Sequence, residues 1–511
     1  MSALCLLGLD IGTTNCKAVV YTADGVSVAQ ARAATPTHTP QPGWAEYEPD
    51  ELWAVIAGIV REALAGGTWP IAGLSVASMA EAGVLLDADG QPCSPMISWY
   101  DTRTLAEQRW WLEEYGGRRV FDITGLTPQP ILSLCKLMWL KRHRPDSLTR
   151  ARVWLNIADW VVYRLTGAQA TPPSLAARTM AYDLARRTWS TELLDAAGIP
   201  RHIMPPIVPS GQVVGHVTAE AAAQTGLPEG TPVVTAGHDH LVGAFGVGVT
   251  EPGHLLNSMG TAEALVMPLL APALNDLTFQ SRANIGAHTA RDRYYANVGL
   301  HAHGATLDWL RALLVPDLPL ADGFAQVNAL GSSAPPGSRG AVFQPHLRGI
   351  SRPIYDPLSR GAFVGLSFQT GRAEMARAVV EGMAFAWRLA LESLEQATGL
   401  RVEDITVIGG GARNPLWLRV KADITQRTLH VLEVEEAVAW GAAALAGVGV
   451  GIFRDAADVR ARVRFDETGV APDPALAALY DDVYTHHYRP VYDALKSVHH
   501  RISQPSPGPT V

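Results

Sequence analysis

The first residues with a chemical pattern are a carboxylate and two hydroxyls around a tight turn. An apolar segment leads to Asp10, the turn Gly12, Thr13 and Thr14 follows, and apolar residues resume at Ala18. Glycine in such a turn allows positive φ and lets a ligand approach the backbone closely. Turn N–H groups and hydroxyls suit phosphate oxygens, and Asp10 could hold a hydrated cation beside them. The pattern predicts a phosphate-binding β-hairpin. An ordinary hairpin with an exposed Asp10 is the alternative.

The same pattern returns in the middle of the chain. Gly260 and Thr261 lie between two apolar segments, and Gly260 is 248 positions (260 minus 12) after Gly12. Two halves that each open with a Gly-Thr hairpin indicate a duplicated fold with a cleft between the halves. We therefore expect two large domains, residues 1–248 and 249–511, which a chain of 511 residues can readily form.

Two further glycine elements lie in the second half. Gly409, Gly410 and Gly411 separate a predicted strand at 404–408 from a predicted helix at 416–425, and Gly304 opens an amphipathic segment. A glycine triplet before a helix N-terminus lets a ligand lie against bare backbone, although a flexible linker is the alternative. Together with the two hairpins, these elements predict a nucleotide site assembled from both halves.

A group that could activate an acceptor is the remaining requirement, and Asp239 is the best candidate. It follows the apolar segment 232–237, which is predicted to be a strand, just before the second half begins. A carboxylate there can accept a hydroxyl proton as that oxygen attacks an in-line γ-phosphoryl group. Mg²⁺ would neutralise the developing charge, with Asp10 contributing through water. Neither a Gly-x-x-x-x-Gly-Lys-Ser/Thr loop nor a Gly-x-Ser-x-Gly motif is present.

A metal site is the competing interpretation of the same region. His238 and His240 flank Asp239, and His301 and His303 form a second pair spaced i, i+2. Residues at that spacing face the same side of a strand, so each pair could chelate a metal ion. A metal hydrolase is therefore a third class of function, beside a kinase and a binding protein.

Composition and charge limit the other possibilities. A net charge of −8 without a basic run gives no electrostatic footprint for nucleic acid, so no nucleic-acid partner is expected, and 48% hydrophobic residues suffice for sizeable cores. Four scattered cysteines predict free thiols in a reducing, cytoplasmic compartment. The apolar residues 437–452 are too few to span a bilayer, so no membrane is expected. Alternating strand and helix patterns predict a mixed α/β sheet, and the Pro-rich residues 199–230 predict a surface loop.

Over most of its length the sequence resembles the FGGY family of carbohydrate kinases. The resemblance rests on Asp10-x-Gly12-Thr13-Thr14, Gly43-Trp44-x-Glu46-x-x-Pro49, Trp99-x-Asp101-x-Arg103, Lys136-x-x-Trp139, Gly237-x-Asp239, Gly260-Thr261, Gly304 and Gly409-Gly410-Gly411-Ala412-x-Asn414. It implies two actin-like (ribonuclease H-like) α/β domains around an interdomain cleft. It also implies ATP-dependent phosphorylation of a sugar or polyol, with domain closure excluding water.

The resemblance also implies roles for individual residues. Asp239 matches the catalytic base and Asp10 the magnesium-associated carboxylate. The first phosphate-binding hairpin is matched by Thr13, Thr14, Asn15 and Lys17, and the second by Gly260 and Thr261. The nucleotide pocket of the second half is matched by Gly304, Gly410, Gly411 and Asn414.

The acceptor pocket matches the family less closely. The implied substrate-binding residues are Ala80, Glu81, Trp99, Asp101, Arg103, Asp239 and His240. The stretch from Trp99 to Arg103 is similar to that of xylulokinases, whereas Glu81 stands where xylulokinases have His and glycerol kinases have Glu. His240 replaces the Asn or Gln of those two groups. A carboxylate that faces the ligand accepts bonds from hydroxyls and disfavours an anionic acceptor, although Glu81 could instead be a salt-bridged structural residue.

The sequence therefore predicts an ATP- and Mg²⁺-dependent kinase for a neutral ketose or polyol. D-xylulose is the leading acceptor, and ribulose, erythritol and glycerol are the alternatives. An actin-like ATPase chaperone or a non-catalytic sugar sensor would share the nucleotide elements. Asp239 argues against the sensor, and the stretch from Trp99 to Arg103 argues against the chaperone. The expected partner is a small molecule, and a homodimer is left open.

Overall fold

The predicted first hairpin is present in the computed structural model. Strand β1 (Cys5–Ile11) pairs antiparallel with β2 (Asn15–Thr22), from Cys5 opposite Thr22 to Ile11 opposite Cys16. Every residue of β1 is buried, as expected for a strand covered on both faces of its sheet. The structure describes residues 4–260, 262–300, 303–434, 436–463 and 466–503.

The first half is built around a six-stranded sheet. The strands of this half, in the main sheet and in smaller two-stranded sheets, are β1, β2, β3 (Ser27–Ala34), β4 (Glu46–Tyr47), β5 (Ile71–Ser78), β6 (Gly83–Leu86), β7 (Met96–Ile97), β8 (Val153–Asn156), β9 (Tyr182–Asp183), β10 (Thr188–Trp189), β11 (Val213–His216) and β12 (Pro232–His238). Its helices are α1 (Pro49–Ala65), α2 (Leu105–Trp110), α3 (Gly117–Thr124), α4 (Ser133–His143), α5 (Pro145–Arg150), α6 (Ile157–Thr166), α7 (Pro173–Arg178), α8 (Thr191–Ala197), α9 (Ala219–Thr225) and α10 (Asp239–Gly246). The six strands run in the order β11-β12-β5-β1-β2-β3.

The second half contains a seven-stranded sheet. The strands of this half, in the main sheet and in the separate pair β17–β18, are β13 (His254–Met259), β14 (Glu263–Leu269), β15 (Asn284–Ala287), β16 (Tyr294–Leu300), β17 (Val342–Gln344), β18 (Ala362–Val364), β19 (Asp404–Ile408), β20 (Leu429–Glu433) and β21 (Asp466–Val470). Its helices are α11 (Asp276–Ser281), α12 (His303–Leu314), α13 (Leu320–Ser333), α14 (Arg372–Thr398), α15 (Pro415–Thr425), α16 (Ala437–Gly449), α17 (Ala456–Arg462), α18 (Ala477–Asp482) and α19 (Arg489–Ser503). The sheet order is β15-β16-β14-β13-β19-β20-β21.

The two sheets repeat one topology. In the first, β3, β2 and β1 are antiparallel neighbours, β5 and β12 continue in parallel, and β11 closes the edge antiparallel. In the second, β16, β14 and β13 are antiparallel, β19 and β20 are parallel, and β21 is antiparallel. The Gly-Thr hairpins β1–β2 and β13–β14 therefore occupy equivalent places, as the sequence repeat predicts.

Helix α16 joins the two halves, although it comes late in the chain. It packs on β1 and β5 of the first sheet and against α10. The approach is close, since a Cβ added at Gly441 would lie 2.0 Å from the carbonyl oxygen of Val242 in α10. This packing fixes the N-termini of both helices, where Asp239 and Glu436 lie.

The prediction of a surface loop over residues 199–230 is wrong in part. Strand β11 and helix α9 both lie in this stretch. The hydroxyl of Thr218 accepts a hydrogen bond from the N–H of Ala221 at 3.2 Å and caps α9. Threonine at an N-cap offsets the weak apolar pattern of so short a helix.

Candidate active site

A cavity of about 230 Å³ lies between the two halves, at the carboxyl end of β12. Six of the predicted site residues line it together: Thr13, Ala80, Glu81, Trp99, Asp239 and His240. The second half contributes a facing wall that includes Glu263, Tyr295 and Arg352. Polar groups from both halves therefore converge on one concave site, which is the usual form of a small-molecule site.

Asp239 stands at the first position of α10, directly after β12. Its Oδ1 accepts a hydrogen bond from the N–H of His240 at 2.6 Å and lies 3.2 Å from Nε2 of His238. Burial raises the pKa of Asp239 above its usual value, and the charge of Glu81 adds to that shift, whereas His240 opposes it. A partly desolvated carboxylate in a cavity is suited to accept a proton.

Glu81 lines the cavity and is also ion-paired. Its Oε1 accepts a hydrogen bond from Nε of Arg178 at 2.6 Å. Its backbone is left-handed, with φ of 67°, a conformation that costs a non-glycine residue of order 1–3 kcal/mol. Lys136 Nζ and Ser133 Oγ donate to its carbonyl oxygen at 2.9 and 3.0 Å. Both interpretations of Glu81 therefore have structural support, since it is salt-bridged and faces the cavity, with Ala80 beside it.

Trp99 connects the cavity to the first hairpin. Its indole N–H donates to the hydroxyl of Thr13 at 2.8 Å. The two residues are 86 positions apart in sequence, and both line the cavity. Thr14 is exposed at the tip of the same turn, and the carbonyl oxygen of Asn15 accepts from the N–H of Gly12 at 3.0 Å. The hairpin turn and the part of the cavity wall that holds Trp99 are therefore adjacent.

Asp101 and Arg103 lie behind the cavity rather than in its wall. Asp101 accepts from Arg103 Nε at 2.9 Å and from the N–H of Ala45 at 2.6 Å. Arg103 also pairs with Glu46 at 2.5 Å and covers the ring of Trp44 at 3.8 Å. Their side chains are 0% and 1% exposed. Their contact with a substrate stays a prediction, and the observed contacts hold the loop that carries Trp99.

Asp10 belongs to a group of carboxylates around one lysine. Lys17 Nζ lies 2.5 Å from Oε2 of Glu436 and 3.8 Å from Oδ2 of Asp10. Burial and the nearby Asp239 raise the pKa of Asp10 to about 7, and Lys17 acts in the opposite direction. Three carboxylates with one cation leave an excess of hard oxygen ligands, which fits the ligand preference of Mg²⁺.

The predicted nucleotide elements of the second half come together. Strands β13 and β19 are parallel neighbours, so Gly260 lies beside the Gly409 to Gly411 turn. Gly409 has φ of 99°, and a Cβ there would lie 2.6 Å from the carbonyl oxygen of Met259. Asn414 caps α15 by accepting from the N–H of Trp417 at 2.9 Å. Thr261 lies outside the described residues.

A buried network that the sequence analysis missed links these elements. Glu263, the first residue of β14 in the second hairpin, contacts Lys421 of α15 and accepts a hydrogen bond from His303 Nδ1 at 2.7 Å. His303 begins α12 and precedes Gly304. Burial alone would raise the pKa of Glu263, but Lys421 and His303 lower it to about 2. The network therefore ties the second hairpin, the start of α12 and α15 into one unit.

Several further cavity and cleft residues were also missed: Arg178, Tyr295, Arg352 and Glu436. No motif marks them, because they reach the cleft only through tertiary packing. The burial of Lys421 could have been predicted from the sequence. It follows Val420 and lies about one helical turn, four positions, after Trp417, and all three are on the buried face of α15. A lysine at a core position of a helix indicates a buried partner.

The two histidine pairs considered as metal sites have different surroundings in the structure. His301 lies outside the described residues, and His303 is engaged with Glu263. His238, Asp239 and His240 do place one ligand atom each within 4.8 Å of one another.

Across the described part of the chain, no helix is both long and apolar enough to cross a membrane.

Two glycine-threonine hairpins, a duplicated α/β fold and a polar cavity between the halves define the class: a two-domain protein of the actin-like type. Residues 5–246 match the N-terminal domain of the FGGY family of carbohydrate kinases, and residues 255–450 match its C-terminal domain. The chain belongs to this family and is a carbohydrate kinase. The predicted family and fold class are confirmed, and the boundary at 248/249 stays a prediction.

Relatives with different acceptors are similar to this chain. A xylulose kinase from Bacillus subtilis (strain 168) is 30% identical over 502 residues, covering 96% of this chain and 99% of the relative. A glycerol kinase from Citrifermentans bemidjiense is 33% identical over 464 residues, covering 88% and 90%. The crystal structure of xylulose kinase from Rhodospirillum rubrum has a TM-score of 0.90 at 32% identity, covering 97% of this chain and all of that one.

Proposed function

We propose that the protein transfers the γ-phosphoryl group of ATP to a hydroxyl of a neutral sugar, with D-xylulose as the leading acceptor and D-xylulose 5-phosphate as the product. The observation that carries the proposal is Asp239, a partly buried carboxylate in a cavity that both halves line. Similarity to xylulose kinases over nearly the whole chain supports the choice of acceptor. Ribulose, erythritol and glycerol are the alternatives, and a glycerol kinase is also among the relatives.

Each group has a defined task in this proposal. Asp239 accepts the proton of the acceptor hydroxyl as that oxygen attacks phosphorus. Glu81, held by Arg178, accepts hydrogen bonds from other acceptor hydroxyls, and Ala80, Trp99 and His240 complete that wall. The two hairpins, with Thr13, Thr14, Asn15 and Lys17 in the first and Gly260 and Thr261 in the second, contact the phosphates.

The nucleotide would lie on the second half, against Gly304, Gly410, Gly411 and Asn414. A Cβ at Gly410 would meet nothing within 4 Å, so its backbone is open to a ligand. Bound Mg²⁺ would neutralise phosphate charge, and Asp10 with Glu436 would hold it. The free cysteines support the proposed cytoplasmic location.

The acceptor is identified by coupled measurement of ADP release against ketopentoses, hexuloses, polyols and aldonates. We expect the highest kcat/KM with D-xylulose. Asp239→Asn should lower kcat by about 10²–10⁴-fold, the usual contribution of a general base, while ATP binding persists. Turnover at the wild-type rate in this variant would refute the assignment of the base. An aldonate preferred over every neutral acceptor would refute the neutral-sugar proposal.

The raised pKa of Asp239 adds a pH criterion. The base must be ionised to act, so kcat/KM should fall on acidification at a pH above the ordinary aspartate value of 3.8. A pH–rate profile measured with saturating ATP checks this. An acid limb centred at or below 3.8 would contradict the desolvated site.

A further inference from the structure

A cluster of two imidazoles and one carboxylate lies at the junction of β12 and α10. His238 ends the strand, and Asp239 and His240 begin the helix. One ligand atom from each side chain lies within 4.8 Å of the other two. Among the described residues, this is the one group of three or more histidine, cysteine or acidic side chains with that proximity. Such a cluster within a substrate cavity can be considered as a site for a cation other than Mg²⁺.

One interatomic distance in this cluster matches that of a transition-metal site. Nitrogen and oxygen ligands at about 2.1 Å from a tetrahedral ion lie about 3.4 Å apart. The distance from His238 Nε2 to Asp239 Oδ1 is 3.2 Å. The ring centroids of His238 and His240 are 5.4 Å apart with their planes at 86°. His240 is exposed, so rotation of its side chain can bring the third ligand atom to coordination distance.

We propose that His238, Asp239 and His240 bind one Zn²⁺ or Co²⁺ ion, and that the bound ion inhibits phosphoryl transfer by engaging the Asp239 carboxylate. Imidazole ligands favour such ions over Mg²⁺, which prefers oxygen ligands and water. Three protein ligands leave a fourth coordination position, which water would occupy. Inhibition rests on the proposed function, whereas binding of the ion does not.

The proposed ion site and the proposed Mg²⁺ site are different but adjacent. Asp10 and Glu436 lie beside Lys17, and the charge of Asp239 acts on Asp10, whereas the proposed ion site takes only Asp239 from that group. An ion bound through the histidines would compete with the acceptor hydroxyl for Asp239, not with the nucleotide. The inhibition should therefore depend on acceptor concentration.

Binding is tested on the untagged full-length protein with the metal alone. Calorimetric titration with Zn²⁺ should give one saturable site per chain, and Co²⁺ should give the visible absorption of a low-coordinate nitrogen–oxygen site. His238→Ala and His240→Ala should each weaken binding by at least about tenfold, the scale on which even indirect ligand contacts affect affinity. His216→Ala, at an exposed histidine of β11, is the matched control and should bind as wild type.

Two binding results would overturn the proposal. One is the lack of a saturable one-to-one site for either ion. The other is a site that keeps its affinity in both His238→Ala and His240→Ala, which would assign the metal to histidines elsewhere in the chain. Thermal melting of each variant without metal confirms that it is folded before its affinity is interpreted.

Inhibition is tested separately in the ADP-release assay, with free Zn²⁺ set by a metal buffer because ATP itself binds Zn²⁺. Higher acceptor concentration should raise the Zn²⁺ concentration for half-maximal inhibition, higher MgATP should not, and a chelator should restore turnover. One-to-one binding through the histidines without loss of turnover would refute the inhibitory role. If no acceptor supports turnover, the proposed function fails, and the metal titration still decides the binding site.

Discussion

Glu81 combines two demands that usually conflict in one side chain. Its carboxylate pairs with the buried Arg178, and the residue also lines the cavity proposed to bind the acceptor. An ion pair alone would require no left-handed backbone, yet Lys136 and Ser133 hold the carbonyl oxygen of Glu81 in that conformation. The strained backbone therefore turns the carboxylate toward the cavity, and Arg178 compensates its charge there.

Substitution of Glu81 by Gln separates these roles. Glu81→Gln retains an oxygen that can accept from Arg178 but removes the charge that strengthens bonds from acceptor hydroxyls. Because hydrogen bonds to charged groups contribute about 1.5–3 kcal/mol, the acceptor KM should rise about 10- to 100-fold while the ATP KM changes by less than about twofold. Steady-state kinetics with each substrate varied checks this. Equal increases in both KM values would leave Glu81 a purely structural role.

Asp10 gives a prediction about stability rather than rate. Its folded-state pKa of about 7 lies above the ordinary value of 3.8, so its ionisation costs the folded protein stability as pH rises through that interval. Asp10→Asn removes that cost. Without Mg²⁺, the melting temperature of the variant relative to wild type should therefore increase as pH rises from 4 to 8, although turnover is lost.

Asp87→Asn serves as the control for this measurement. Arg150 lowers the pKa of Asp87, so this carboxylate stabilises the folded state above its ordinary pKa and loses that effect only on acidification. The relative melting temperature of Asp87→Asn should stay constant between pH 5 and 8. A constant relative melting temperature for Asp10→Asn over the same interval would contradict the desolvated Asp10.

At the scale of secondary-structure elements, the buried network of Glu263, Lys421 and His303 joins three segments that the nucleotide would contact. Both members of the Glu263–Lys421 pair have side chains with 0% exposure, and Lys421 also donates to Asn257 of β13 at 2.7 Å. Burying a charge pair contributes little net stability, but removing one partner is expensive. The pair therefore fixes how the second hairpin, α12 and α15 are arranged.

Lys421→Met should destabilise the protein by about 3–5 kcal/mol, because it leaves Glu263 charged and buried without its main partner. The double variant Lys421→Met with Glu263→Gln should recover most of this loss. Both should raise the ATP KM more than the acceptor KM if the network positions the nucleotide elements. Thermal melting and steady-state kinetics measure the two effects.

Arg293→Met is the matched control for that pair. Arg293 and Glu251 form an ion pair on the surface, and exposed pairs contribute about 0–1 kcal/mol. This variant should therefore melt within a few degrees of wild type with unchanged ATP KM. A double variant at Lys421 and Glu263 no more stable than Lys421→Met alone would show that the two side chains do not act as a pair.

At the scale of the whole molecule, the sequence predicts the repeated hairpins but not the contacts between residues that are distant in the chain. The apolar-turn-apolar pattern around Gly12 and Gly260 is local, so it identifies both hairpins and the duplicated halves. The contacts of Glu81 with Arg178 and of Lys17 with Glu436 join residues 97 and 419 positions apart. Such pairs depend on sheet order and helix packing, which periodicity does not determine. Asp101 and Arg103 illustrate the same limit, since their spacing is local but their burial is tertiary.

Helix α16 shows how one such contact couples the halves. Its chain position assigns it to the second half, whereas its packing partners are the first sheet and α10. At their N-termini the two helices place Glu436 and Asp239 on the same group of carboxylates. The distance between α10 and α16 therefore determines the relative positions of the proposed base and the proposed metal ligands.

Gly441→Ala tests this coupling. The added Cβ would lie 2.0 Å from the backbone carbonyl oxygen of Val242, so α10 and α16 must move apart. Overpacking costs about 1–3 kcal/mol, and displacement of Asp239 should lower kcat as well as the melting temperature. Gly58→Ala is the matched control, because a Cβ in that part of α1 meets nothing within 4 Å. It should stabilise the protein by about 0.5–1 kcal/mol with unchanged kcat. If Gly441→Ala lowered the melting temperature but left kcat at the wild-type value, α16 would support the fold without positioning the site.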